Sequence, residues 1–263
     1  MFTFKIKFLL VLFIPIIVGL SLMPVLFELD GEEGSNFASL LGRFHILFLH
    51  FPICLLFIIP ILEVLGKFPP LDYLKKSVGF LLYIGALFIV ATSVLGFLLA
   101  VGDGDAGTLL EDHMWDGIIA SGLVLLAIVL REMALIKNDS RAVWGYRVVL
   151  AFTLLTVAMG SHHGASMVHG EMYLVEKLPE GVKDALGIKE DKEPVLTYDS
   201  PAFDRLIKPI FEQNCYACHS DKKQKGKYRM DSMELLLAGG KSHHVAVTPG
   251  DLEESELHER IVL

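Results

Sequence analysis

Long apolar runs and short charged breaks alternate through the first 160 residues, and from about residue 171 the pattern turns polar. Crossing a bilayer as a helix takes about 20 apolar residues. Five runs qualify: Phe8–Phe27, Phe44–Leu62, Ser77–Val101, Met114–Leu130 and Ala142–Gly160. Their charges lie at the ends. Arg147 is near one end of the fifth, and Glu63 closes the second with Lys67 one turn on. Long side chains there can carry their charge to the interface. Trp115, Trp144, Tyr73 and Tyr146 fall at predicted helix ends, where amphipathic rings favour the head-group level. The first run begins like a signal peptide, with Lys5 and Lys7, but its apolar stretch is too long. Pro24, Leu26 and Phe27 stand where a cleavage site would need small residues. It reads as an uncleaved anchor.

Residues 171–199 contain Pro179, Gly181, Gly187 and Pro194 and read as a linker, with a short helical spacer over Val182–Ile188. At Ser200–Pro201 a helix start is predicted, serine capping and proline in the first turn. Phe203, Leu206, Ile207, Ile210 and Phe211 then recur at helical spacing. The expected organisation is a membrane anchor and loop over 1–41, a four-helix membrane domain over 42–170, the linker over 171–199 and a small domain over 200–263.

Composition sharpens this. A hydrophobic content of 53% and three cysteines exclude a disordered chain, a collagen-like chain and a disulfide scaffold. A net charge of −8 with no basic patch argues against nucleic-acid binding. Charge also predicts orientation, since cytoplasmic loops are rich in lysine and arginine. Lys5, Lys7, Lys67, Lys75, Lys76, Arg131, Lys137 and Arg141 fall on one side, and Arg43 alone on the other. The N-terminus is therefore expected in the cytoplasm, and five crossings put the C-terminal region outside.

That region carries Cys215-Tyr216-Ala217-Cys218-His219. Two thiols at this spacing can add to the two vinyl groups of one haem, and the next residue places an imidazole beneath the iron. A redox dithiol does not need the histidine. A zinc site needs more ligands, and the remaining cysteine, Cys54, lies in a membrane helix, where it reads as a packed thiol. One covalent haem c is expected, with Cys215 and Cys218 as tethers and His219 as the iron ligand. Haem c is attached on the outer side of a bacterial inner membrane, which agrees with the charge asymmetry.

The run Ile207-Lys208-Pro209-Ile210-Phe211, the haem motif, Lys225-Gly226, Tyr228-Arg229-Met230-Asp231-Ser232, Leu235-Leu236-Leu237, Gly239-Gly240-Lys241-Ser242 and Val247-Thr248-Pro249-Gly250-Asp251 resembles a planctomycete-type cytochrome c domain. The apolar runs and the resemblance together give the expected fold, all-α: a five-helix transmembrane bundle followed by a small periplasmic cytochrome c domain. His243-His244 departs from the family pattern, where smaller residues are usual. The family's distal methionine sits in a Met-Pro-Pro-like segment that would follow His258–Leu263, so truncation is expected. Met230, Met233, His243, His244 and His258 are the local alternatives.

Six further histidines gather near the outer helix ends: His45, His50, His113, His162, His163 and His169. Ionisable groups in a membrane carry a functional expectation. Three readings stand side by side: a haem b between two imidazoles with Arg43 on a propionate; a quinol or metal site; and interfacial residues satisfied by water. His50 lies about 9 Å deeper than Phe44 at 1.5 Å per residue. His50 with His113 is the first candidate pair, followed by His162 and His163. Residues 42–170 also resemble, more loosely, an uncharacterised bacterial family of four-helix membrane domains, through Gly42-Arg43-Phe44-His45, His50-Phe51-Pro52, Gly160-Ser161-His162-His163-Gly164 and His169-Gly170.

The functional expectation is a membrane-anchored c-type cytochrome passing electrons to a periplasmic partner protein, within a larger complex. The alternative is a structural or redox-sensing anchor subunit, and a haem enzyme is a third reading. Lys222, Lys223, Lys225, Lys227 and Arg229 form either a docking surface for an acidic partner or a solvated face.

Overall fold

A computed structural model describes residues 4–29, 31–170, 173–175, 177–188 and 201–262. It is helical, with no strand among the described residues. The chain divides into two compact units.

The first comprises Met1–Leu29, Glu33–Asp103 and Asp112–Ser161. Its helices are α1 (Phe4–Leu26), α2 (Asn36–Gly42), α3 (His45–Leu65), α4 (Leu74–Asp103), and most of α5 (Thr108–Lys137) and α6 (Ser140–His169). Five helical stretches have the length and apolarity to cross a membrane, α2 and α3 counting as one. This is a multi-pass membrane protein by that criterion. The helices α4, α5 and α6 each run 30 residues, longer than the apolar runs that predict them. Apolar periodicity marks only what the bilayer covers, while hydrogen bonding continues into polar terminal turns. Short α2 has no counterpart in the sequence reading; Ser35 caps it by accepting from the Ala38 N–H at 3.2 Å. Between α5 and α6 the chain reverses at Asn138, with φ +49°, a conformation asparagine tolerates. Asp139 then accepts from the Arg141 N–H at 2.9 Å and caps α6.

The core joins all five long helices through Leu9 and Phe13, Leu56 and Ile59, Leu82 and Ile89, Val124 and Ile128, and Leu150 and Val157. Over half of the apolar window of α5, 56%, is buried, against 17–28% for the others, so α5 is the central helix. The outward faces stay apolar, with Phe8, Phe57, Phe80, Leu87 and Phe152 exposed. Exposed apolar surface on this scale suits lipid contact. Charge within the bundle is paired. Glu132 on α5, its side chain only 6% exposed, meets Lys5 of α1 at 2.6 Å and accepts from the Tyr83 hydroxyl of α4 at 3.2 Å. Arg147 donates to Glu63 at 3.0 Å.

The second unit comprises Asp30–Glu32, Gly104–Glu111 and His162–Leu263. It holds α7 (Glu180–Leu186), α8 (Lys208–Asn214), α9 (Met233–Ala238) and α10 (Glu256–Val262). The spacer expected at Val182–Ile188 is α7, ended by left-handed Gly187. The predicted cap Ser200 lies outside the described residues. The helix expected to follow it is not uniform: Phe203–Ile207 is a π-helical turn leading into α8, and the Lys208 N–H reaches back to the Phe203 carbonyl. Pro209 has no N–H to give the Arg205 carbonyl, and its ring would crowd that oxygen, so the ladder widens by one residue. Met230, Leu236 and Ala246 form the small core.

Candidate functional site

The segment Cys215–His219 begins where α8 ends. The Cys215 N–H bonds the Phe211 carbonyl at 2.7 Å, and the Cys215 carbonyl accepts from Cys218 at 3.0 Å and His219 at 2.9 Å. One tight turn therefore carries both thiols and the imidazole. The following loop is fastened to it, since the Cys218 carbonyl accepts from Lys225 and the His219 carbonyl from Met230, each at 2.9 Å. Both thiols are free and half-buried.

His219 Nδ1 lies 3.1 Å from the Tyr228 carbonyl oxygen. A carbonyl only accepts, so Nδ1 carries the hydrogen and Nε2 is the lone-pair nitrogen. Metal-binding histidines are oriented in this way. Burial holds the His219 pKa below the ordinary histidine value against the opposing Tyr228 bond, which favours the neutral ring that a ligand must be. Burial, and secondarily Cys218, pushes the Cys215 thiol up. A redox-active dithiol has a depressed pKa, so this environment disfavours that reading. The Tyr228 hydroxyl, pushed up to about 12 chiefly by burial, donates to the Leu236 carbonyl at 3.0 Å and ties α9 to the site. The buried Tyr216 hydroxyl has no hydrogen-bond partner among the described residues.

Of the local distal candidates, Met230 is 1% exposed and belongs to the core, Met233, His243 and His244 are exposed, and His258 is half-buried. The basic run after the motif meets carboxylates of this same unit. Lys223 pairs with Asp105 at 3.3 Å, Arg229 with Asp231 at 2.6 Å, and Glu32 bridges Lys227 at 2.7 Å and Lys241 at 3.0 Å. The two lysines hold the Glu32 carboxyl below its usual range. The Gln224 N–H also bonds the Ala106 carbonyl at 2.7 Å. Gly107, at φ +131°, packs so closely that a Cβ there would stand 2.1 Å from the Lys222 carbonyl oxygen. Glu32 and Asp105 lie in short polar loops between the apolar runs. Nothing local signals that each has a basic partner more than 100 residues away.

In the first unit, His113 has its ring beside His45, centroids 6.1 Å apart. Expected partner His50 is exposed and turns its Nδ1 to the Ile46 carbonyl of its own helix at 2.8 Å. His45 and His50 are five positions apart, which sets them on different faces of α3. Arg43 is exposed, in the turn between α2 and α3. In the second unit, the rings of His162 and His163 lie 6.1 Å apart and His169 stacks on Tyr173 at 4.4 Å. The buried His162 Nδ1 has no hydrogen-bond partner among the described residues.

Neither the curated proteins nor the solved structures give a match to the chain. Residues 215–262 match the family model described as Planctomycete cytochrome C, so the C-terminal part of this membrane protein is a cytochrome c-like domain similar to that family.

Proposed function

We propose that the protein is a membrane-anchored c-type cytochrome that transfers electrons at the periplasmic face of a bacterial inner membrane. The observation that carries this is the turn at Cys215–His219, with two thiols on one side chain register and an imidazole whose Nδ1 is fixed on the Tyr228 carbonyl. Cys215 and Cys218 would tether one haem through thioethers, and His219 Nε2 would hold its iron. When bound, the haem supplies a one-electron couple. The chain's own contribution is to fix the ring tautomer, to keep His219 neutral by burial, and to cover the turn with the 225–230 loop. The acidic loop residues Glu32 and Asp105 support a further point, that the basic run serves the protein's own loops. A periplasmic redox partner, and a quinol donor in the membrane, would then be met elsewhere.

The test is a haem-stained denaturing gel of the full chain, with a reduced-minus-oxidised spectrum of membranes given a quinol. A stained band that is lost in the Cys215→Ala, Cys218→Ala double variant, and a c-type signal reduced by quinol, are expected. A band that survives the double variant overturns the attachment. A covalent haem that no quinol reduces leaves the structural-anchor reading in its place.

A further inference from the structure

Two imidazoles from separate helices meet inside the apolar bundle. His45 opens α3 and His113 lies in the second turn of α5, with ring planes at 89°. Each ring is held by the backbone of another helix. His45 Nδ1 is 2.9 Å from the Thr92 carbonyl of α4, and His113 Nδ1 is 2.8 Å from the Gly160 carbonyl of α6. As at His219, a carbonyl partner requires a hydrogen on Nδ1, so Nε2 is the nitrogen through which the neutral ring ligates a metal. Four helices thus fix one pair of rings in the tautomer that binds metal.

The surroundings are built around this pair. A Cβ at Gly96 would stand 2.8 Å from His45 Nδ1, so the α4 backbone packs directly on the imidazole. Buried Thr92 Oγ1 has no hydrogen-bond partner among the described residues. Ser93 and Ser121 continue the polar layer, their hydroxyls 3.1 Å apart and both bonded to the Gly117 carbonyl. In membrane-capable helices the unpartnered Thr92 hydroxyl is costly unless something uses it.

We propose that His45 and His113 coordinate a transition-metal centre through their Nε2 atoms. Two metal–nitrogen bonds of about 2.0 Å, with about 1.2 Å from each nitrogen to its ring centre, put centroids about 6.4 Å apart when the bonds are opposed and closer when they are bent. The observed spacing is 6.1 Å. No group of three or more His, Cys, Asp or Glu side chains suited to a metal occurs among the described residues, so a three- or four-ligand protein cage is not built. Two imidazoles are the complete protein share for haem iron, whose macrocycle brings the other donors. Imidazole also suits a bare iron or copper ion. The sequence expectation of His50 with His113 is replaced by His45 with His113. This goes beyond the covalent site and does not depend on it.

The test uses the full chain purified in mild detergent. Pyridine haemochrome spectra count c-type and b-type haem separately, and elemental analysis counts iron, copper and zinc. One metal equivalent beyond the covalent haem iron is expected, and it persists in the Cys215→Ala, Cys218→Ala variant. It falls at least tenfold in His45→Gln and in His113→Gln, is unchanged in His50→Gln, and returns in His45→Gly when imidazole is added. A b-type spectrum identifies the source as haem; metal without it identifies a bare ion. Covalent haem retained in the histidine variants shows that the chain is made and inserted. Should a variant fail to accumulate, pulsed electron paramagnetic resonance of the wild-type centre decides, two imidazole nitrogens supporting the site and none overturning it. No metal beyond the covalent haem iron, or unchanged content in either histidine variant, overturns it.

Discussion

At the residue scale, the clustering of the C-terminal motif residues in one turn was legible because it is local. Cys215, Cys218 and His219 sit within five positions, and the turn geometry follows from that spacing. Met230 shows the opposite case. A methionine near a haem motif invites a ligand role, yet its side chain is 1% exposed and among the largest fully buried groups. Its burial depends on α9 and on the loop to Ala246, which no local pattern announces. Met230→Ala is expected to destabilise the domain by about 2–5 kcal/mol, the range for deleting a buried methionine side chain. Met230→Leu keeps the volume and should cost less than about 1.5 kcal/mol. Thermal unfolding followed by circular dichroism reads both. Equal losses in the two variants would show that sulfur, and not volume, is what the site requires.

At the element scale, the five membrane helices could be placed from apolar run length, while their partners could not. Run length reports what lipid covers, but the pairing of Lys5 with Glu132 joins residues 127 apart in sequence. His113 and His45 are likewise far apart in sequence, since α5 meets α3 only in the folded bundle. Glu132 is the more deeply placed member of its cluster, with Lys5, Arg131 and Tyr83 around it, and Lys5 is 56% exposed. Removing Glu132 leaves cations facing a buried position, whereas removing Lys5 leaves Arg131 and Tyr83 on the carboxylate. Glu132→Ala should therefore lower the melting temperature in detergent more than Lys5→Ala, and the reverse order would refute this account of how α1 is held.

Also between elements, Glu32 offers a pH-dependent contact. Lys227 and Lys241 depress its pKa, so its stabilising contribution is present above the ordinary carboxylate range. It is lost as pH falls below about 4.3 and through the lowered value. The contact is exposed, so salt should weaken it as well. Limited proteolysis of the 225–241 segment is expected to accelerate on going from pH 7 to pH 3, and at pH 7 on adding 1 M salt. Glu32→Gln should cleave at pH 7 as the wild type does at high salt. A wild-type rate insensitive to both pH and salt would mean that the bridge contributes nothing.

At the scale of the whole molecule, orientation rests on the asymmetry of basic residues. Eight lysines and arginines flank the helices on one side and Arg43 alone on the other. The rule behind this concerns translocation, since positively charged loops resist crossing an energised membrane. The covalent haem attachment proposed here would impose an independent demand, because the motif would have to reach the outer compartment. Five crossings would satisfy both with the N-terminus in the cytoplasm. An even number would separate them, leaving the motif on the side where the N-terminal lysines are. The two constraints are tested together by reporter fusions in the full membrane segment. A periplasm-active reporter joined after Gly170 should be active, and one joined after Lys76 should be silent. A cytoplasm-active reporter should give the mirror result. Activity after Lys76 with silence after Gly170 would invert the topology, and with it the electron path proposed for the covalent haem, whatever the gel shows about its attachment.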